Sequence, residues 1–175
     1  MCGVKTHVVT SIEATPYESA DTVQMPALVN QTAKTFTINE VSADKAYSDR
    51  RNLHVVQAQG GVAFIPFKSN STGMGDHNHK FDGLWNRMWH FYNYNQESFL
   101  THYHKRSNIE SAFSMIKAKF GNSVRAKTPT AQVNEVLCKV LCHNICCLIQ
   151  SIFELGLEPT FWTSDTKEAV VPKVL

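Results

Sequence analysis

Apolar residues along this chain recur with two different periods. Val4 to Ile12 is rich in β-branched residues and alternates weakly, which predicts a strand covered on both faces and closed by Pro16. Ser19 to Lys34 carries Val23, Ala27, Leu28 and Ala33, a helical pattern with Asp21 in the first turn and Pro26 as a defect near its first third. Thr35 to Ser42 reads as a second strand, ending at Ala43-Asp44. Ser48 to Gln59 reads as a short helix, broken by Gly60-Gly61, and Val62 to Pro66 as a third strand. Strand, helix, strand, helix, strand is the order of a parallel α/β sheet with right-handed crossovers.

Beyond that point the period is helical. Ser69 to Lys80 is polar and predicts a mobile loop. Asp82 to Tyr94, Glu97 to Phe120 and Gln132 to Leu155 predict three helices, the second stopped by Gly121-Asn122 and the third by Gly156. Trp85, Met88, Trp89, Phe91 and Tyr92 are dense enough on one helix to read as core rather than as a base-stacking platform. Asp76-His77-Asn78-His79 reads as a solvated loop, because close-spaced ligands on a loop lack a scaffold for a metal. The tail after residue 157 shows no pattern.

The length of 175 residues suits one domain, and 43% hydrophobic with 18% charged residues excludes a disordered tail. The stretch from Val136 to Phe153 is interrupted by Lys139, His143, Asn144, Gln150 and Ser151, so no membrane span is expected. The N-terminus lacks the apolar core of a signal peptide, which leaves the cytoplasm as the expected compartment. Four of the five cysteines fall between Cys138 and Cys147. That clustering argues against a secreted disulfide framework, and without paired ribbon motifs they read as small buried hydrophobes rather than a zinc site.

Net charge is +2, yet the charge is unevenly spread. Thr101 to Lys127 holds six Lys or Arg against the single acid Glu110, whereas Met1 to Asp44 holds two bases and five acids. A basic stretch suits a phosphate backbone. At about 100° per residue, Arg106, Glu110 and Lys117 lie about 60°, 20° and 40° to one side of Tyr103, so all four share a helix face. Ile109, Ala112, Phe113, Ile116 and Phe120 form the docking stripe beside it. Spacing alone also allows a plain Arg106–Glu110 ladder, worth a few tenths of a kcal/mol. A carboxylate inside a basic face is otherwise explained by a divalent cation, which needs a second oxygen ligand. Asp44 is the best candidate, because ligands bind at the C-terminal edge of parallel strands. A helix cap or turn role remains open for it, and Asp49 is the weaker candidate.

Tyr103, Arg106, Glu110 and Lys117 match, at full spacing, the Tyr-x2-Arg-x3-Glu-x6-Lys signature of insertion-sequence transposases of the DDE type. Ala43-Asp44-Lys45-Ala46-Tyr47 resembles the segment holding their second aspartate, and Lys5-Thr6-His7-Val8-Val9 the strand after their first. Asn134 to Lys139, followed by His143-Asn144, resembles their closing helix. The resemblance implies an incomplete RNase H-like α/β fold over residues 1–157, a mixed sheet lacking its first strands, followed by C-terminal helices and an irregular tail over 158–175. It implies Asp44 and Glu110 as catalytic, metal-binding carboxylates. It implies Tyr103, Arg106 and Lys117 as grips on the phosphates of transposon-end DNA.

Members of that family hold two Mg²⁺ ions on three carboxylates. The first aspartate has no counterpart here, since the chain begins just before the matching segment. The implied site therefore holds one Mg²⁺ weakly at best, and the chain alone is expected to be inactive, marginally stable and exposed at a sheet edge. A non-catalytic DNA-binding module, or one that engages a second copy or a full-length transposase, is the alternative. An unrelated α/β domain would instead hold Asp44 and Glu110 far apart.

Overall fold

The computed structural model describes residues 1–14, 21–74 and 82–156, with no account of the Asp21 side chain. Asp76 to His79 and the tail expected over 158–175 lie outside the described residues. The architecture is α/β: a two-stranded parallel sheet, β1 (Glu40–Ser42) and β2 (Val62–Phe64), joined through α2 (Arg50–Ala58) and followed by four further helices. The strands pair Glu40 with Val62, Val41 with Ala63 and Ser42 with Phe64.

Local chemistry explains most boundaries. α1 (Met25–Ala33) follows a 3-10 turn over Asp21–Gln24, and Pro26 occupies its first turn rather than its interior. That corrects the expected defect, because a first-turn proline gives up no helical hydrogen bond. Asp49 caps α2 by accepting from the Arg51 N–H at 2.8 Å. Gly60, at φ +79°, ends that helix, and Gly61 lets the chain pass close over Ile38 into β2. Asp82 caps α3 (Gly83–Tyr94), accepting from the Leu84 and Trp85 N–H groups.

The core gathers Val29, Val41, Val56, Phe64, Ile65 and Phe99 between α1, the sheet, α3 and α4 (Gln96–Tyr103). Phe99 is fully buried and meets Phe64, Phe91 and Tyr92 edge-on, with centroids 5.0 to 5.9 Å away. Trp85 and Met88 are buried in this cluster, and Trp89, Phe91 and Tyr92 pack against it, as the helical density implied.

Several expectations are corrected. Residues 4–12 form no strand in the sheet; they double back on residues 1–3 through a single antiparallel bridge, Cys2 to Val9. Their backbone groups are satisfied locally, Gly3 N–H to Val8 O at 2.8 Å and Thr10 N–H to Met1 O at 3.1 Å. The implied mixed sheet is thus a parallel pair among the described residues. Its strands are shorter than the apolar runs that predicted them, three residues each.

The helix expected from Glu97 to Phe120 is broken into α4, a 3-10 turn over His104–Arg106 and α5 (Ser107–Phe120). Ser107 Oγ and Asn108 Nδ2 donate to the carbonyls of His104 and Lys105, competing with the helical ladder there. The segment expected to be mobile from Ser69 is fastened over its first part. Trp85 Nε1 donates to Thr72 O, Asn86 Nδ2 to Gly73 O and Trp89 Nε1 to Ser71 O.

α6 (Pro129–Leu155) starts earlier than its apolar pattern, capped by Thr128. It is long and apolar enough to cross a membrane by length and composition, contrary to the sequence expectation, although a single such helix is weak evidence. Its cysteines are not a buried stripe: Cys138 and Cys142 are exposed, and Cys146 and Cys147 are half-buried.

Candidate active site

The geometry converges on one guanidinium. Asp44 follows β1 at the C-terminal end of the parallel pair. It takes the cap position of the 3-10 turn over Lys45–Tyr47, yet its side chain caps nothing. Its carboxylate lies 3.1 Å from Arg106 Nη1, and the Glu110 carboxylate lies 3.0 Å from the same nitrogen. The two carboxylates are therefore no more than about 6 Å apart. Both side chains are open to solvent, 53% and 66% exposed.

Tyr103 completes the group. Arg106 Nε donates to its hydroxyl at 2.9 Å, and the guanidinium lies 5.4 Å from its ring centroid. A 3-10 turn advances about 120° per residue, so it stacks Arg106 over Tyr103 more closely than a continuous α-helix would. Partial burial works against the Arg106 charge. The Tyr103 hydroxyl and the Asp44 and Glu110 charges outweigh it and raise the Arg106 pKa above its ordinary value. Lys117 stands exposed two turns beyond Glu110 on α5 and joins none of these contacts.

A second cluster, unforeseen, ties the site to the sheet. Glu40 on β1 meets His102 Nδ1 at 2.6 Å and Lys105 Nζ at 2.5 Å. His102 stacks on Phe64 at 4.2 Å, and Ser42 Oγ donates to the His102 carbonyl at 2.8 Å. Burial pushes the Glu40 carboxyl upward, but the bonds from Lys105 and His102 overcome it and hold the pKa below its ordinary value. The sequence carried one faint signal for Glu40: with Ser42 it occupies alternate positions of a strand leading to Asp44, so both face the same side.

A cleft of about 480 Å³ runs beside the site, bordered by the N-terminal segment, by β1 and the two residues after it to Asp44, and by the apolar side of α5 with Ile109 and Phe113. His143 of α6 is fully buried, with Nε2 2.9 Å from the His7 carbonyl, so that nitrogen carries the proton. No cluster of three or more His, Cys, Asp or Glu able to hold a metal exists among the described residues.

Asp44 and Glu110, 66 residues apart in the chain, thus meet on one cation beside Tyr103, as a chance match would not require. Residues 1–145 match the family described as Transposase DDE domain. The chain belongs to that family. It is 32% identical over 108 residues to a probable transposase for insertion sequence element ISA1214 from Archaeoglobus fulgidus. The match covers 62% of this chain and 31% of that relative, so the chain spans about a third of the length of the curated relative it matches. No solved structure matches it. Within this DDE-domain chain, the Tyr103-to-Glu110 segment and Asp44 are the residues that fold and sequence bring to one place, and Lys117 is the one left apart.

Proposed function

We propose that this chain is the catalytic-side portion of a DDE transposase, RNase H-like over residues 1–157. In this reading Asp44 and Glu110 bind a divalent cation at the phosphate of a transposon DNA end. The single observation that supports it most is that both carboxylates sit on one nitrogen of Arg106. A guanidinium there stands where a metal cation would be held, and two carboxylate oxygens are the hard donors Mg²⁺ takes, with water and phosphate completing its shell. The donor set fits one ion. Bound Mg²⁺ would supply Lewis-acid stabilisation of charge on the reacting phosphate oxygens.

The chain's own residues do the rest. Tyr103 orients the Arg106 guanidinium, which pairs with the carboxylates when they are otherwise uncompensated and with a DNA phosphate when they are not. Lys117, free of the cluster, adds a point charge for the same backbone. With two carboxylates, strand cleavage by this chain alone is expected to be very slow, because members of such a site act as a unit. A non-catalytic DNA-binding role is the second reading. It is favoured by the way Arg106 already neutralises both carboxylates.

The test is Mn²⁺ binding by electron paramagnetic resonance, with DNA binding by fluorescence anisotropy, on wild type, Asp44→Asn and Glu110→Gln. The proposal expects each substitution to weaken Mn²⁺ by at least ten-fold while DNA affinity holds or rises. Unchanged Mn²⁺ binding in both variants would reject it. Nicking of supercoiled plasmid then separates the readings: a Mg²⁺-dependent product lost in Glu110→Gln marks catalysis, and its absence with intact DNA binding marks the second.

A further inference from the structure

Two thiols meet where α6 holds the start of the chain. Cys2 and Val9 face each other across the antiparallel bridge, between the bonds from Gly3 N–H to Val8 O and from Thr10 N–H to Met1 O. A pair of that kind sets its Cα atoms about 4.5 Å apart, with both side chains on one face. The backbone of Val9 is bonded twice to Asn144, at 2.8 Å each. Cys147 stands three residues further along α6, on the same side of the helix. Its sulfur lies 3.5 Å from His143 Nε2, and that nitrogen lies 2.9 Å from the His7 carbonyl. Contacts to residues 7–9 thus bring both half-buried thiols to one place.

Their electrostatics agree with that placement. Burial raises the Cys2 pKa against the pull of the N-terminal ammonium, and Cys147 adds to the rise, so the two sulfurs are within electrostatic reach. Burial raises the Cys147 pKa as well, opposed by Lys119. The remaining cysteines are placed otherwise: Cys138 and Cys142 are exposed, and Cys146 is turned about 100° from Cys147 around the helix.

We propose that Cys2 and Cys147 are a modification site, a pair that closes to a disulfide in exchange with a small-molecule disulfide and fastens α6 to the N-terminal segment. With glutathione disulfide, the Cys147 thiolate attacks one sulfur and expels a glutathione thiolate. The Cys2 thiolate then attacks the Cys147 sulfur of the mixed disulfide. The Cys2–Cys147 bond forms, and the second glutathione thiolate leaves. The two cysteine protons end on the released thiolates, and the two electrons reduce glutathione. The N-terminal segment is already tied to α1: Ser11 Oγ donates to the Leu28 carbonyl and Thr32 Oγ1 to Ser11 Oγ, each at 2.9 Å. Oxidation therefore couples the long helix to the core, apart from anything at the carboxylate site.

A full-length chain carrying Cys138→Ser, Cys142→Ser and Cys146→Ser keeps only this pair. Equilibrated in glutathione redox buffer, acid-quenched and digested with trypsin, it should give the peptide ending at Lys5 linked to the peptide ending at Lys167. The effective concentration of the two thiols should be at least ten-fold higher in buffer than in denaturing urea. Linkage should raise the melting temperature by at least about 5 °C and slow amide exchange along α6 at least ten-fold, both reversed by dithiothreitol. In the otherwise native chain, Cys2→Ala should abolish the oxidised-state shift and leave the melt under dithiothreitol unchanged. Thiols that stay free in the redox buffer, linkage no stronger in buffer than in urea, Cys2 joined to a second chain, or a linked chain that melts no higher than the reduced one would each overturn the proposal.

Discussion

Asn144 holds Val9 by both of its backbone groups: Oδ1 accepts from the Val9 N–H and Nδ2 donates to the Val9 carbonyl, each at 2.8 Å. One amide side chain does there what a neighbouring strand would do. It connects α6 to a segment 135 residues earlier, and the His143 bond to the His7 carbonyl reinforces it. Asn144→Ala leaves two part-buried backbone groups unpaired, so a loss of about 1–3 kcal/mol is expected in urea unfolding. Asn144→Asp keeps the acceptor and loses the donor, and should fall between wild type and Ala. Equal stability of all three would show that water replaces the amide without cost.

Arg106 competes with any cation for the carboxylate pair. Arg106→Ala is expected to tighten Mn²⁺ binding several-fold while weakening DNA binding, opposite signs from one substitution. Its effect on folding should stay within about 1 kcal/mol, because the paired carboxylates are exposed. Titration calorimetry for the metal and anisotropy for DNA check this. A fall in both affinities would mean that Arg106 positions Glu110 rather than occupying the cation's place.

Glu40 sets an acid limit. Its pKa is lowered in the folded protein from the ordinary value of 4.5. A carboxylate bound more tightly as the anion contributes stability that is present above the unfolded-state value and lost as pH falls through the lower, folded one. Thermal unfolding should therefore be flat in this contribution above about pH 5 and fall below about pH 4.5. Glu40→Gln should lower stability at neutral pH and flatten that acid limb. A variant with the same acid slope as wild type would place the sensitivity elsewhere, Asp82 being next, since its pKa is also lowered by helix-cap bonds and His54.

Gly73 packs against an indole. A Cβ there would stand 2.7 Å from Trp89 Cε3, inside any real contact distance. Gly73→Ala should displace the loop that Trp85, Asn86 and Trp89 hold, at about 1–3 kcal/mol. Tryptophan emission should shift to the red as those ring N–H groups reach water. An unshifted spectrum with unchanged stability would mean that the loop moves aside freely.

The period of apolar residues places the helical stretches of the described residues but not the break between α4 and α5, because burial on one face is a local property. It failed where the outcome depends on partners. Val4 to Ile12 has strand chemistry, yet residues 8–10 bond to Gly3, Met1 and Asn144 instead of to a sheet strand. The break after Tyr103 depends on Ser107 and Asn108 reaching back to carbonyls, which a count of apolar positions does not register. The site was legible in part. The spacing of Tyr103, Arg106 and Glu110 carries their contact, whereas the Asp44 contact needed the fold. Glu40, His102 and Lys105 were scattered over 65 residues with no spacing to connect them.

Among the described residues, the buried cluster is drawn from residues 25–99, and only Ala112, Ile116 and Val140 are buried apolar residues beyond it. α5 and α6 are thus attached by a thin apolar seam and a few polar bonds, while α1, α2, the sheet, α3 and α4 share one packed interior. Amide protons should divide accordingly. Those of Val29, Val56, Ile65 and Phe99 should exchange only by global opening, while those along α5 and α6 exchange earlier, as a separate unit. Glu110 rides on the early unit and Asp44 on the late one, so the two carboxylates belong to parts of the molecule that open at different free energies. A ligand that bridges them would fuse two cooperative units into one, and deuterium uptake in α5 would report its arrival before any chemistry did.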